Sequence, residues 1–471
     1  MFQKLSIGDL AFGIATAFIA GILVASMRWN IVFVIVTIAA VAAAFVAIHF
    51  LKNIFLWREI GIFVTALCVG AFYYHLYLGW DAAAMRLPFE KEISFPAVVS
   101  SEPTESAKYE IFTADPWRSH KLMILAAPES GFHYGDLIKV RGFIGEPDTA
   151  GENPFVASPH ITLIAEHRGF WLRELLIDFK LAIIKKFGVF LSQDQAALLG
   201  GVTLGGAAGM SAELKSDMAA SGTSYVLSMY GYKITAITAL AAIALKNFFS
   251  RRITFFICLA LIALFVLMSG VVASVVRAGI MAALALTAKE IGRPFDMRNA
   301  LAFTAAIMLA LNPFLLTGDI GFQLSFLSIM GIAYLTDPIK RWWRYQDPGF
   351  LNWKEGTATT LAVLAPMVPL VANADGSFPL TAIPSNVLMF LATPFTVLFG
   401  FILAVLGAVS SSAAFCAAKI GAIILQYQIF VIKLFSAVVI PLPVPFSIPA
   451  VVAVYYAGLA IFIFYYDDEE N

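Results

Sequence analysis

Charge is scarce in this chain. Asp, Glu, Lys and Arg make up 13% of its 471 residues, about half the share usual in a soluble domain. Acidic and basic residues balance at 31 each, so net charge points to no partner. Cysteine is scarcer still: Cys68, Cys258 and Cys416 lie far apart in apolar runs. That spacing excludes a disulfide framework and a thiolate metal cluster. The six histidines, His49, His75, His120, His133, His160 and His167, form no HExxH or HxH pair, so no zinc motif is present. A P-loop and a G-x-S-x-G nucleophile elbow are both missing. That removes ATP hydrolysis by the P-loop route and leaves a nucleophile elbow unsupported. No catalytic residue, metal site or cofactor is expected, and the chain does not read as an enzyme.

Apolar length is what it has. Hydrophobic residues make up 60% of the chain, with a mean hydropathy of +0.84. One soluble core cannot bury so much apolar surface, and repeated runs of about 20 residues are the signature of membrane helices. Three such runs open the sequence, over 7–27, 31–51 and 59–77. The first lacks a small-residue cleavage site and the second follows at once, so it reads as a span rather than a signal peptide. Lys4, Lys52 and Arg58 flank these runs. The positive-inside bias puts them, and the N-terminus, in the cytoplasm. Three crossings then carry residue 80 across a bacterial inner (plasma) membrane.

From 81 to 168 the apolar runs shrink to strand length. Residues 92–100, 120–127, 136–144 and 161–167 read as strands separated by turn signals, and 148–160 as an irregular loop. Short strands with little helix predict a small OB-like β-barrel, here extracytoplasmic. OB barrels bind polymers through aromatics and basic residues. Tyr109, Trp117, Arg118, Lys121, Lys139 and Arg141 are the binding candidates, with Phe112, Phe132, Tyr134 and Phe143 as further aromatics or barrel core. Residues 90–168 hold seven Lys/Arg against 12 Asp/Glu, a net of −5. Nucleic-acid affinity rests mainly on phosphate neutralisation, so the domain as a whole should repel DNA.

Residues 169–192 follow as an amphipathic helix that either lies in the membrane interface or packs on protein. Residues 193–471 form a multi-span core. Its expected spans are 224–245, 253–269, 271–288, 300–311, 320–335, 357–371, 383–406, 413–439 and 448–466. The run ALLGGVTLGGAAG at 197–209 is short and glycine-rich, which suits a broken or re-entrant helix. The fold class is therefore a polytopic α-helical membrane protein with an inserted small barrel. Its parts are 1–80, 81–168, 169–192 and 193–471.

Ionisable groups at membrane depth are costly and point to function. Arg277 sits in SVVRAGIMAALAL; it is either a fixed cation in a polar path, or snorkels, or pairs with a carboxylate such as Asp319. Lys233 either snorkels or lines a pore. Asp319 can cap the helix that carries Gln323 and Ser325, and those two can bridge helices. Asn386 has the same two readings.

Four segments resemble the ComEC family of inner-membrane DNA-uptake channels in natural transformation. They are Ala197–Gly200 through Gly222–Leu227 to Gly231, then Val276-Arg277-Ala278-Gly279-Ile280-Met281. The third is Asn312-Pro313 with Asp319-Ile320-Gly321-Phe322-Gln323-Leu324-Ser325-Phe326, and the last is Pro384-Ser385-Asn386-Val387-Leu388. The family's second motif resembles SHLLAISGLH; here its histidine positions are Tyr225 and Lys233, and its second serine is Tyr230. Many members continue into a metallo-β-lactamase-like domain, but no HxHxDH string occurs here, as in a short or truncated member.

The resemblance implies a channel that passes single-stranded DNA to the cytoplasm. Arg277, Lys233, Asp319, Gln323, Ser325, Asn386, Tyr225 and Tyr230 are then candidates for its path. It also implies membrane lipid, a periplasmic DNA receptor, a cytoplasmic helicase-like motor and a separate nuclease as partners. The alternative is a transporter or scaffold for another substrate, with the barrel binding protein or an envelope polymer.

Overall fold

The computed structural model describes residues 7–27, 54–84, 92–105, 109–116, 121–127, 131–145, 154–157, 159–343, 353–376, 378–442 and 449–467. The expected span over 31–51, and the candidates Trp117 and Arg118, lie outside the described residues. The protein is 73% helical, with a closed five-stranded barrel in its N-terminal region. Among the described residues, seven helices are long and apolar enough to cross a membrane. It is a multi-pass membrane protein.

Helices α1 (Ile7–Ser26) and α2 (Ile54–Ala84) pack against each other through glycine. Gly21 lies against the Leu67 carbonyl and Gly70 against the Phe18 carbonyl, so a Cβ at either would collide with backbone. Close approach of this kind supplies van der Waals attraction where lipid removes the hydrophobic drive. Gly70→Leu is expected to cost about 1–3 kcal/mol by overpacking, read as a lower unfolding temperature in detergent. Gly79→Leu, where a Cβ meets nothing within 4 Å, should leave that temperature unchanged.

The barrel contains β1 (Glu92–Val99), β2 (Thr104–Glu105), β3 (Glu110–Pro116), β4 (Leu122–Ala126), β5 (Leu137–Gly145), β6 (Phe155–Ala157) and β7 (His160–Ala165). Its ring closes in the order β1-β3-β4-β6-β5-β1. The β4–β6 pairing is parallel, with Ile124 opposite Val156. Counted along the chain, the five ring strands follow 1-2-3-5-4-1, the Greek-key order of an OB barrel. Strand side chains alternate between faces. Phe112 and Ala114 of β3 therefore join Leu122, Ile124 and Ala126 of β4 inside.

Two strands depart from the sequence expectation. β3 is not among the expected strands, because Asp115 and Pro116 end it with a turn-like pair. β6 falls in the expected loop because it has three residues, with Pro154 and Pro159 close on either side.

The helical part runs α3 (Trp171–Phe190), α4 (Gln193–Leu204), α5 (Ala212–Ala220), α6 (Tyr230–Leu245), α7 (Arg251–Met268) and α8 (Ala273–Glu290). It continues with α9 (Met297–Leu311), α10 (Ile320–Trp342), α11 (Trp353–Leu364), α12 (Val368–Asp375), α13 (Ala382–Val409), α14 (Ser411–Ser436) and α15 (Pro449–Asp467). The run expected over 357–371 is split by a 3-10 turn at Ala365–Met367, where Pro366 cannot donate. The Tyr455 hydroxyl donates to the Ala365 carbonyl at 2.7 Å, and Tyr456 to the Pro366 carbonyl at 2.9 Å. Irregular backbone at this depth is satisfied by protein, as an apolar medium requires. α3 leaves Trp171, Leu175 and Phe179 exposed and buries Ile177, Lys180 and Phe187.

Candidate functional site

α4 begins at a capping box of Ser192 and Gln195 and ends after 12 residues. That is about 18 Å of helix, short of the roughly 30 Å hydrocarbon core. Every residue from Ala196 to Leu204 is buried. Gly205 and Gly206 then turn the chain at φ 90° and 87°, a region that glycine enters without steric cost. The glycine-rich run is thus a helix that stops inside the protein.

Carbonyls near such an end need donors. The Gly205 N–H supplies one to Gly201 at 3.1 Å, and Lys233 adds a second: its Nζ donates to the Gly201 carbonyl at 2.8 Å and, in the 3-10 turn Ser224–Ser228, to the Leu227 carbonyl at 2.7 Å. Its ammonium also lies 4.5 Å from the Tyr230 ring centroid. Lys233 is 1% exposed, so it does not snorkel to headgroups. Tyr230 packs its ring edge against Gly205.

Arg277 on α8 is also buried. It donates through Nη1 to the Ser325 carbonyl of α10, and its guanidinium lies 5.8 Å from the Phe326 ring centroid. Among the described residues it has no ion pair, so the alternative of pairing with Asp319 is not used. Asp319 instead caps α10 by accepting from the Phe322 N–H at 2.6 Å. Arg277 Nε and Ser325 Oγ are buried without a hydrogen-bond partner. The Tyr225 hydroxyl, from the 3-10 turn Ser224–Ser228, lies beside Ser328 and Arg277. Three separate elements therefore converge on one buried guanidinium.

Gln323 bonds locally, to the four-residue helix Leu315–Gly318 that precedes α10. Its Nε2 donates to the Leu316 and Thr317 carbonyls at 2.9 and 3.2 Å, closing the turn just before α10. Asn386 does bridge: its Nδ2 donates to the Gly222 carbonyl at 2.9 Å, and the adjacent Ser385 hydroxyl donates to the Ser221 carbonyl at 2.9 Å. These bonds tie α13 to the chain just ahead of Tyr225. A cavity of about 90 Å³ opens there, lined by Tyr225, Asn386, Thr359, Thr360 and Phe390. Pro394 deprives the Phe390 carbonyl of its usual helical donor.

The barrel candidates do not gather on one face. Lys139 and Arg141 share the outer face of β5, where Arg141 pairs with Glu92 at 2.9 Å. Tyr109 and Lys121 sit at opposite ends of the β3–β4 pair. Phe112 belongs to the barrel core.

Sequence reasoning missed a second feature. A cavity of about 770 Å³ separates the barrel from the helical core, lined among others by Glu102, Arg173, Lys180, Gly206 and Tyr230. Lys180 was legible in retrospect, since it falls on the same α3 stripe as the buried Ile177 and Phe187. Beside it lies an acidic pocket of about 480 Å³, containing Glu102, Glu110, Asp136, Glu166, Glu174 and Asp178. His167 there bonds Glu174 through Nδ1; that hydrogen bond and the carboxylate's charge raise its pKa.

A family model described as Competence protein matches residues 202–468, a stretch that contains Tyr225, Arg277, Ser325 and Asn386. No curated protein and no solved structure matches the chain.

Proposed function

Because the chain belongs to the competence protein family, we propose that it is an inner-membrane channel that passes single-stranded DNA into the cytoplasm during natural transformation. The observation that carries the reading is Arg277. A guanidinium inside a helical core, with no carboxylate partner among the described residues and with Nε unbonded, is costly unless it serves an anion. A polyanion crossing hydrocarbon needs cationic and hydrogen-bonding walls. Arg277, Tyr225, Ser325 and Asn386 supply them, and the Tyr225–Asn386 cavity is the start of such a path.

Lys233, Tyr230, Asp319 and Gln323 hold the path's backbone in shape rather than line it. The barrel lies outside the cytoplasm, and its acidic pocket steers DNA toward the cationic side of the mouth. α3 lies at the interface with its Trp171, Leu175 and Phe179 stripe in lipid. A periplasmic receptor delivers DNA, a cytoplasmic motor pulls it, and a separate nuclease removes the other strand. The net negative charge of the barrel favours the second reading, transport or scaffolding of another substrate.

Deleting the gene in a transformable host separates the two. Fluorescent DNA should then stop outside the cytoplasm and resume passage on complementation. Unchanged cytoplasmic accumulation in the deletion strain would leave only the second reading.

A further inference from the structure

The cavity between barrel and core holds a buried ion pair that the path above does not use. Lys180 of α3 has a side chain only 2% exposed, and its Nζ donates to both oxygens of Glu102, at 2.5 and 2.6 Å. Glu102 belongs to the barrel, in the link between β1 and β2. The ammonium lies 3.9 Å from where a Gly206 Cβ would stand, so it sits at the glycine turn that ends α4. Arg173, about two helical turns earlier on α3, donates from Nη1 to the Ser100 carbonyl at 3.0 Å and stacks on Tyr134 at 4.4 Å. Its Nε is buried with no partner.

We propose that Lys180, with Arg173 on the same cavity wall, is a phosphodiester subsite at the channel mouth, and that Glu102 occupies it as an internal anion until DNA arrives. The inference rests on the channel reading above. A carboxylate and a phosphodiester each present two acceptor oxygens to an ammonium. Exchanging one for the other keeps Lys180 paired throughout, which avoids the cost of a buried unpaired charge. The displaced Glu102, already 27% exposed, rehydrates in the cavity of about 770 Å³. Gly206 leaves room for a backbone to approach the ammonium, where a side chain would intrude. The mouth is thus closed by the barrel's own charge and opened by the substrate's.

The test uses the full chain in nanodiscs and a 5′-fluorescein oligothymidylate of about 20 nucleotides, read by fluorescence anisotropy across a salt series. Glu102→Gln should bind about tenfold more tightly, because no internal carboxylate has to leave Lys180 before the phosphate pairs with it. Its plot of log K against log salt should keep the wild-type slope, because the same phosphates are neutralised in both. Glu102→Gln affinity equal to or weaker than wild type overturns the proposal. A double variant, Glu102→Lys with Lys180→Glu, keeps the pair but reverses it, and decides the matter should Glu102→Gln not fold. It should bind the oligonucleotide more weakly than wild type; wild-type affinity overturns the proposal. Equilibrium binding at the mouth and uptake in the deletion strain are separate readouts, so the subsite and the channel reading fail independently.

Discussion

Arg277→Glu abolishes DNA uptake in a transformable host. The substitution puts a carboxylate where a guanidinium now donates to the Ser325 carbonyl, so one acceptor faces another in a site with little water. A negative charge there also repels each arriving phosphate. A reduction of about 100-fold or more corresponds to about 2.7 kcal/mol added to the barrier, a modest demand on a buried charge reversal. Arg277→Gln isolates the charge, because it keeps a donor and avoids burying a carboxylate. It should give folded protein and uptake reduced at least about tenfold, or about 1.4 kcal/mol. Arg277→Lys should retain more uptake than Gln. Cytoplasmic accumulation of fluorescent DNA, normalised to protein in the membrane, measures the series. Equal uptake by Lys and Gln variants would mean that charge at this position does not matter.

Lys233→Met has the second large effect, and it is on stability. The change removes the ammonium's two bonds, to the Gly201 and Leu227 carbonyls, and leaves Gly201 with the Gly205 N–H. Those carbonyls lie among buried residues, and hydrogen bonds to charged groups are worth about 1.5–3 kcal/mol each. A loss on the order of 3 kcal/mol is expected, seen as a lower unfolding temperature in detergent. Lys233→Arg should not rescue it, because the site is 1% exposed and the guanidinium is larger. If Lys233 instead touched DNA directly, the Met variant would keep its unfolding temperature and lose only uptake. Lys233 thus separates a group that builds the path from one that touches what passes.

These two residues also show what a sequence can carry. Both stand out as charges in apolar runs, but the sequence leaves each between the lipid interface and a polar path, and their burial is seen only in the fold. Their partners are another matter. Lys233 bonds carbonyls 32 and six positions away, and nothing local marks those carbonyls as its partners. Arg277 reaches the Ser325 backbone, which carries no residue-specific signal, so the sequence offers only snorkelling or a carboxylate such as Asp319 beside the polar-path reading. Asp319 capping was readable because its acceptor and donor lie three residues apart. The barrel was legible where its strands are long and alternate cleanly, as in β1 and β5. It was hidden in β6, where two prolines bracket three residues. The Lys180–Glu102 pair joins residues 78 positions apart, and only the docking of barrel on helix reveals it.

The central claim is that DNA travels through the helical core beside Tyr225 and Arg277. Photocrosslinking tests it most directly. p-Benzoylphenylalanine is placed at Tyr225, which lines the inner cavity, and separately at Phe395, which is 57% exposed on the outside of α13. Cells are given radiolabelled DNA, and uptake is stalled by depleting energy before irradiation. Labelled adducts at position 225, with none at 395, are the predicted result. Adducts absent from 225, or equal at both positions, would contradict the account.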